Sequence, residues 1–111
     1  MKDTIPFEDF LKLDIQVGYV KEAENVQDSK KLVKLTVDFG EELGERTILT
    51  GMQQWYGPDD FVGKNFPFLV NLEPRKMAGI ESQGMLMAAD QDDIPMFIPV
   101  SIEIKPGTVI R

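Results

Sequence analysis

Alternation of apolar and polar residues is clearest over residues 32–39. One set of alternate positions is wholly apolar and comprises Val33, Leu35, Val37 and Phe39. Because successive side chains of a strand lie on opposite faces of its sheet, this segment predicts a β-strand with one buried face. Shorter segments of similar pattern predict four further strands, at residues 15–19, 46–50, 66–72 and 84–89.

The segments between these strands have the composition of turns and short helices. Asp3 or Thr4 is a candidate N-cap for a short helix through Phe7 and Phe10. Residues 40–45, which are rich in Gly and Glu, predict a turn. Residues 58–63 predict one helical turn, because they begin with Pro, continue with two Asp and end with Gly.

Two residues inside the predicted strands indicate irregularities. Gly18 predicts a bulge or a sharp bend in the first strand. Pro67 predicts an edge position or a bulge in the fourth strand, because proline has no N–H group to donate.

The order of these elements predicts an all-β fold. Five short strands with a short helix between strands 3 and 4 is the order of an OB-fold barrel. We expect one domain over residues 1–111, with an N-terminal helical turn, the barrel over about residues 13–89, and a C-terminal β extension over about residues 91–111. A five-stranded barrel of another topology remains the alternative.

Composition narrows the chemistry that the chain can perform. It has no His and no Cys, which excludes Ser-His-Asp and Cys-His relays, thiolate nucleophiles and disulfides, and argues against zinc. No apolar run approaches the about 20 residues of a membrane helix. The N-terminus lacks an apolar export signal, so we expect a cytoplasmic protein.

Two familiar ligand-binding patterns fail on spacing. The segment from Gly57 to Lys64 has one residue too many for a phosphate-binding loop and lacks its Ser or Thr. The acidic run at Asp90 would need Gly and Glu at its sixth and twelfth positions to be a helix–loop–helix calcium site, and it has Pro95 and Ser101 there. We therefore predict no metal site, no cofactor and no catalytic residue. An enzyme working through loosely placed carboxylates is the hypothesis with least support.

The charge is distributed unevenly. The chain has 12 basic and 19 acidic residues and a net charge of −7, which argues at first against nucleic acid. The acidic excess lies at the two ends, however, because residues 29–89 contain seven basic and eight acidic residues. That central part includes two basic groups, one made of Lys30, Lys31 and Lys34 and the other of Arg75 and Lys76. On an OB barrel such residues would suit a platform for oligonucleotides.

Several motifs, in order, give the chain a recognisable identity. They are Asp9-Phe10, residues 13–18, residues 31–40, residues 46–51, residues 56–64, residues 71–76, residues 79–89 and Pro106-Gly107-Thr108. In these the chain resembles the tRNA-binding domain family that is appended to methionyl-tRNA synthetases and also occurs as free-standing dimeric proteins. The resemblance implies an OB-fold, a homodimer completed by the segment after the fifth strand, and binding of tRNA by shape at its outer corner.

The resemblance also implies which residues bind. Positions that match the tRNA-binding surface of the family are Lys31, Asn71, Lys76, Ser82 and Met85. To these the placement of charge adds Lys30, Lys34 and Arg75. For the dimer interface we expect the apolar residues Met96, Phe97, Ile98, Val100 and Ile102. The chain departs from the family at Gln16, where Arg is usual, and at Lys30, where Asp is frequent.

Two functional hypotheses follow. The first is a non-catalytic, structure-specific tRNA-binding module, acting alone or as the tRNA-capturing part of methionyl-tRNA synthetase, with a separate catalytic chain as a candidate partner. The second is a peptide-binding protein similar to a secretion-related chaperone family of the same fold. The six Met residues and the acidic total suit the second, whereas the intact Gly84-Met85-Leu86 motif favours tRNA.

Overall fold

Strand β2 (Val33–Asp38) shows the alternation that its sequence predicts. In the computed structural model, which describes residues 1–111, Val33, Leu35 and Val37 are completely buried. Lys34 and Thr36 alternate with them and remain partly exposed on the outer face. The pattern of one strand thus defines the inside and the outside of the fold.

Five strands form a single antiparallel sheet. Its order is β3-β2-β1-β4-β7, where β1 is Ile15–Asn25, β3 is Glu45–Thr50, β4 is Asn65–Leu69 and β7 is Met85–Leu86. The residues before β7 join its edge to β3, because Gln83 N–H donates to the Thr47 carbonyl at 2.9 Å and Leu49 N–H donates to Ser82 Oγ at 3.0 Å. The sheet is therefore nearly closed into an OB-like barrel, and the all-β, five-stranded prediction is confirmed.

Phenylalanine rings fill the barrel interior. Phe39, Phe61, Phe66 and Phe68 are each at most 2% exposed. Phe39 meets Phe68 edge-on with ring centroids 5.3 Å apart, a favoured aromatic geometry. Complete burial of each such ring contributes about 1.5–3 kcal/mol, so these four residues account for much of the core.

Strand β1 is longer than predicted and bends at a different residue. Its pairing with β2 shifts register between Val20 and Glu22, which makes Lys21 the bulged residue rather than Gly18. Gly18 instead permits close packing, since a Cβ there would lie 2.5–2.7 Å from side-chain atoms of Val37, Phe39 and Phe68. Glycine at position 18 is therefore explained by close packing in the core rather than by a bulge.

The helical elements are all short. Helix α1 (Phe7–Phe10) has Pro6 at its N-cap and no side-chain cap, so the expectation of capping by Asp3 or Thr4 is wrong. The predicted turn at residues 40–45 contains a four-residue helix, α2 (Gly40–Leu43). The helical turn between β3 and β4 is present as a 3-10 helix over Pro58–Asp60. No helix is long and apolar enough to cross a membrane.

Two hairpins lie outside the main sheet. One consists of β5 (Arg75–Met77) and β6 (Ile80–Ser82), and the other of β8 (Ala88–Gln91) and β9 (Ile94–Phe97). Both turn through two residues of positive φ, which is the backbone of the tightest hairpin loops. The first hairpin was not predicted, and the predicted strand at residues 84–89 is divided between β7 and β8. Predicted strand 4 ends at Leu69 rather than at residue 72.

The C-terminal segment returns to β1 with little regular structure of its own. Beyond residue 91, the predicted C-terminal β extension contains one strand, Ile94–Phe97. Beyond it, single bridges join Val100 to Asn65 and Val109 to Gln16. Gly107 N–H donates to the Val17 carbonyl at 2.7 Å, which anchors the end of the chain against the barrel.

Candidate nucleic-acid interface

The loop between β1 and β2, residues 26–32, presents Lys30 and Lys31 to solvent. Val26 N–H donates to the Leu32 carbonyl at 3.0 Å and closes the base of the loop. Ser29 Oγ accepts hydrogen bonds from the N–H groups of Lys31 and Leu32, each at 3.2 Å. Both lysines are exposed and neither forms an ion pair. The loop thus presents two lysines that form no ion pair, together with one acidic residue, Asp28.

Lys34 lies on the outer face of β2, beside the base of this loop. Its Nζ is 3.6 Å from Glu24 Oε1, a surface ion pair in which the Glu24 side chain is 70% exposed. Such a pair contributes little and is readily exchanged for another partner. Lys34 also lines a cavity of about 280 Å³ together with residues 24–27, at the end of β1 and the start of the loop, and with Ala78 and Ile80 of the β5–β6 hairpin. The loop and the hairpin therefore meet at Lys34.

The β5–β6 hairpin carries the second basic group. Arg75 and Lys76 are exposed on β5 and form no ion pair. Lys76 is opposite Glu81 in the hairpin register, which places one acidic residue within the basic group. In the OB-fold, the loops after strand 1 and before the last strand flank the oligonucleotide-binding face. The two basic groups occupy these two positions, and Lys34 lies between them.

A smaller cavity, of about 150 Å³, lies beside the hairpin. It brings together Arg75, Ser82 and Met85 from the expected site, and its walls include Leu49, Leu72 and Met77. The Met85 side chain is 46% exposed, so its thioether is available for apolar contact with a ligand. The structure thereby identifies Met85 as a methionine of this region that faces outward.

Two expected contact residues have their polar groups engaged within the protein. The Ser82 side chain is 4% exposed, accepts from Leu49 N–H and donates to the Gly84 carbonyl at 3.1 Å. Asn71 accepts from Asp14 N–H at 2.8 Å and donates to the Lys12 carbonyl at 2.6 Å. Ser82 is therefore buried beneath the surface, whereas Asn71 remains exposed with both ends of its amide group engaged by the main chain. The alternation of apolar and polar residues could not predict these hydrogen bonds, because Asn71 lies beyond β4 and Ser82 ends a three-residue strand.

Arg46 has a structural role that the sequence pattern did not indicate. Its Nη1 donates to the carbonyls of Val70 and Gln83, at 2.8 and 3.1 Å. These two residues are the ends of the long segment that contains the β5–β6 hairpin. Arg46 therefore ties the base of the hairpin to β3, and it is one of the lining residues of a cavity of about 540 Å³.

Lys21, a further lysine on the sheet, is held in an ion pair within the protein. The bulge at Lys21 places its ammonium against the Glu45 carboxylate. The hydrogen bond to Glu45, followed by the attraction of its charge, raises the pKa of Lys21 above its ordinary value. Lys21 is thus a paired cation, unlike Lys30, Lys31, Arg75 and Lys76.

Comparison with protein families decides the classification. The model of the family described as "Putative tRNA binding domain" matches residues 15–109, which is most of the chain. The chain belongs to this family. The match covers both basic groups and the barrel that carries them.

Individual relatives agree with this classification. The methionine–tRNA ligase of Porphyromonas gingivalis is 44% identical over 111 residues, which cover 98% of this chain and 16% of that enzyme. The chain therefore spans about one sixth of the length of the curated relatives it matches.

Solved structures resemble the domain over nearly its whole length. The MetRS related protein from Pyrococcus horikoshii superimposes with a TM-score of 0.94 and 42% identity, covering 99% of this chain and 100% of that one. The chaperone CsaA from Bacillus anthracis gives a TM-score of 0.85 and 29% identity, covering 98% and 100%. The same barrel thus occurs in proteins of two different descriptions.

The apolar C-terminal residues of the chain fall into two groups. Met96, Ile98 and Ile102 are 42–62% exposed, as an interface would require. Phe97, in contrast, turns inward: its ring stacks on Tyr56 with centroids 4.1 Å apart and meets Phe61 edge-on at 5.2 Å. Val100 is half-buried beside Asn65. Phe97 therefore packs on the end of the barrel.

Proposed function

We propose that this domain binds tRNA without catalysing a reaction, recognising the folded shape of the molecule. The observation that supports this most directly is the placement of the two basic groups. The loop with Lys30 and Lys31 and the hairpin with Arg75 and Lys76 flank one face of an OB-like barrel, with Lys34 between them. Membership of the tRNA-binding family supports tRNA as the ligand.

The exposed side chains suit phosphate contacts more than base reading. Lysine ammonium groups act as mobile point charges, and Arg75 can form paired hydrogen bonds with phosphate oxygens. Phosphate contacts position a nucleic acid but carry no sequence information. In this proposal the five cations follow the backbone of tRNA, and Met85 packs against a base or ribose exposed at the outer corner.

We further propose that the domain captures tRNA for methionyl-tRNA synthesis. Its sequence relatives are methionine–tRNA ligases of which it matches only 16% of the length, so catalysis would lie in other parts of such a protein or in another chain. A weak tRNA site held next to a catalytic site raises the local substrate concentration. The domain would act in this way as a fused module or as a separate subunit in the cytoplasm.

A homodimer is part of the proposal. The exposed side chains of Met96, Ile98 and Ile102 form an apolar set on the segment after the barrel, and burial against a second copy would remove them from water. Phe97 and Val100 would support this surface from beneath. A two-fold dimer would also present two basic faces to one RNA.

Peptide binding is the second candidate function, and the likeness to the chaperone CsaA favours it. The experiment that separates the two is a competition. Aggregation of an unfolded client protein is followed by light scattering with the domain present, and tRNA is then added. The tRNA proposal predicts little suppression of aggregation and a direct shift of labelled tRNA in gels. Strong suppression that tRNA does not relieve would favour the chaperone function instead.

A further inference from the structure

Gln53 is placed beneath the lysine loop without being part of it. It follows β3 in the chain and is half-buried. Its Nε2 donates to the carbonyls of Ser29 and Leu32, at 3.0 and 2.7 Å. Its own N–H donates to the Lys31 carbonyl at 3.1 Å. Gln53 thus donates three hydrogen bonds to the loop. Two go to the carbonyls of Ser29 and Leu32, which flank the two lysines, and one goes to the carbonyl of Lys31.

These bonds constrain where Lys30 and Lys31 can project. The carbonyls of residues 29, 31 and 32 are all directed at Gln53, so the loop backbone has a fixed orientation relative to β3. The other hydrogen bonds of the loop lie within the loop itself: Val26 N–H donates to the Leu32 carbonyl, Ser29 N–H donates to the Val26 carbonyl, and Ser29 Oγ accepts from two N–H groups. Gln53 is therefore the residue that links this loop to β3 through side-chain hydrogen bonds.

We infer that Gln53 is a positioning residue for tRNA binding, acting through Lys30 and Lys31. This inference rests on the proposed function. A side-chain amide is suited to the task because one nitrogen supplies two N–H donors, whereas a carboxylate supplies none. Ordering the loop before binding lowers the entropy that would otherwise be lost when the lysines engage phosphate.

The experiment compares Gln53→Met and Gln53→Glu with Gln54→Met in the full chain. Gln54 is the matched control, since it is the adjacent residue, is exposed and makes no side-chain hydrogen bond. Each variant is first checked for folding by its thermal transition, and tRNA affinity is measured by fluorescence anisotropy. We expect Gln53→Met to bind about three- to tenfold more weakly, which corresponds to one or two lost hydrogen bonds. Gln53→Glu is expected to bind more weakly still, and Gln54→Met to bind normally.

A double-mutant cycle separates positioning from a general structural role. In a chain already carrying Lys30→Ala and Lys31→Ala, Gln53→Met should cause little further loss of affinity, because the residues through which it acts are gone. Amide hydrogen exchange at Lys31 and Leu32 should accelerate in Gln53→Met.

The outcomes that overturn the inference are specific. Unchanged tRNA affinity of Gln53→Met, or an equal loss with and without the two lysines, would contradict the positioning role. Failure of the unmodified, folded chain to bind tRNA is a different result, because it overturns the proposed function itself.

Discussion

Lys31 is the lysine for which the placement of charge and the family resemblance agree. It is exposed, unpaired and held by an ordered loop. Replacing a phosphate-binding cation by an acid removes one attraction and adds one repulsion. We predict that Lys31→Glu weakens tRNA binding about tenfold and reduces the salt dependence of log K by about one unit.

Lys105→Glu is the matched control for this prediction, because it changes the net charge equally. Lys105 belongs to the segment that returns to the beginning of β1, whereas the lysine loop follows the end of that strand. Anisotropy titrations at several salt concentrations make the comparison. An equal loss in both variants would indicate that overall charge, rather than this surface, governs binding.

At Gly107, the backbone conformation and the close packing both require glycine. Its φ is +89°, and a Cβ there would clash with the Phe39 carbonyl oxygen. Alanine would therefore be strained in conformation and would push the C-terminal segment off the barrel. We predict that Gly107→Ala lowers the free energy of unfolding by at least about 2 kcal/mol, measured by urea denaturation.

Gly57→Ala provides the reference for that measurement. A Cβ at Gly57 meets nothing within 4 Å, and its φ of −90° suits alanine. The substitution should change stability by less than about 0.5 kcal/mol. Equal stability of the two alanine variants would show that the contact between Gly107 and Phe39 is not tight in solution.

Individual residues also show what sequence reasoning could and could not establish. The exposure of Lys30, Lys31 and Lys76 agrees with the sequence, because charged side chains in loops seldom become buried. The burial of Ser82 was not predictable, since its hydroxyl replaces a main-chain partner of Leu49 at the closure of the barrel. Such a contact joins two residues that are 33 positions apart in the chain, so the local pattern of apolar and polar residues does not predict it.

At the scale of elements, recognition is divided between one loop and one hairpin. Residues 26–32 and 75–82 should therefore respond to tRNA together. We predict that tRNA causes the largest amide chemical-shift changes in these two segments. The β8–β9 hairpin, which has its own acidic turn at Asp92 and Asp93, is the internal control and should change little. Changes concentrated at residues 88–97 instead would place the binding surface on another face.

The accuracy of the strand predictions follows from burial. β2 and β3 agree closely with their predicted ranges because both pack on the core: alternate residues of β2 are buried, as are the last three residues of β3. The β5–β6 hairpin was missed because its strands have three residues and are mostly exposed, so no apolar alternation exists to detect. The pair Ala78-Gly79 was the available signal, as a two-residue turn ending in Gly favours a hairpin.

For the whole molecule, the net charge of −7 is compatible with an RNA-binding face. The molecule extends 42 Å along its longest axis, whereas charges in physiological salt are screened over about 8 Å. Acidic residues farther than this from the loop and the hairpin are screened from them, whereas Glu24 lies beside Lys34 and Asp28 lies in the loop itself. The acidic excess should lower the affinity for tRNA by weakening the long-range attraction of the RNA, without abolishing the contacts of the basic residues with phosphate.

The oligomeric state gives the second whole-molecule prediction. If Ile102, which is 62% exposed, lies in a dimer interface, then a charge there would be buried without a partner. We predict that the chain sediments as a dimer at micromolar concentration and that Ile102→Asp weakens the dimer at least about tenfold. Leu72→Asp, at a 44% exposed residue outside the C-terminal segment, should leave the dimer unchanged. A monomeric unmodified chain would contradict the proposed dimer.

The measurement that tests the central claim most directly is an equilibrium titration of labelled tRNA with the unmodified chain across a series of salt concentrations. If the five cations of the loop, β2 and the hairpin contact phosphates, the affinity is highest at low salt. Log K then falls linearly with log salt, with a slope of up to about −4. A single-stranded RNA of equal length should compete less well than folded tRNA. Absence of binding at low salt by a chain shown to be folded, or an affinity independent of salt, would contradict the account.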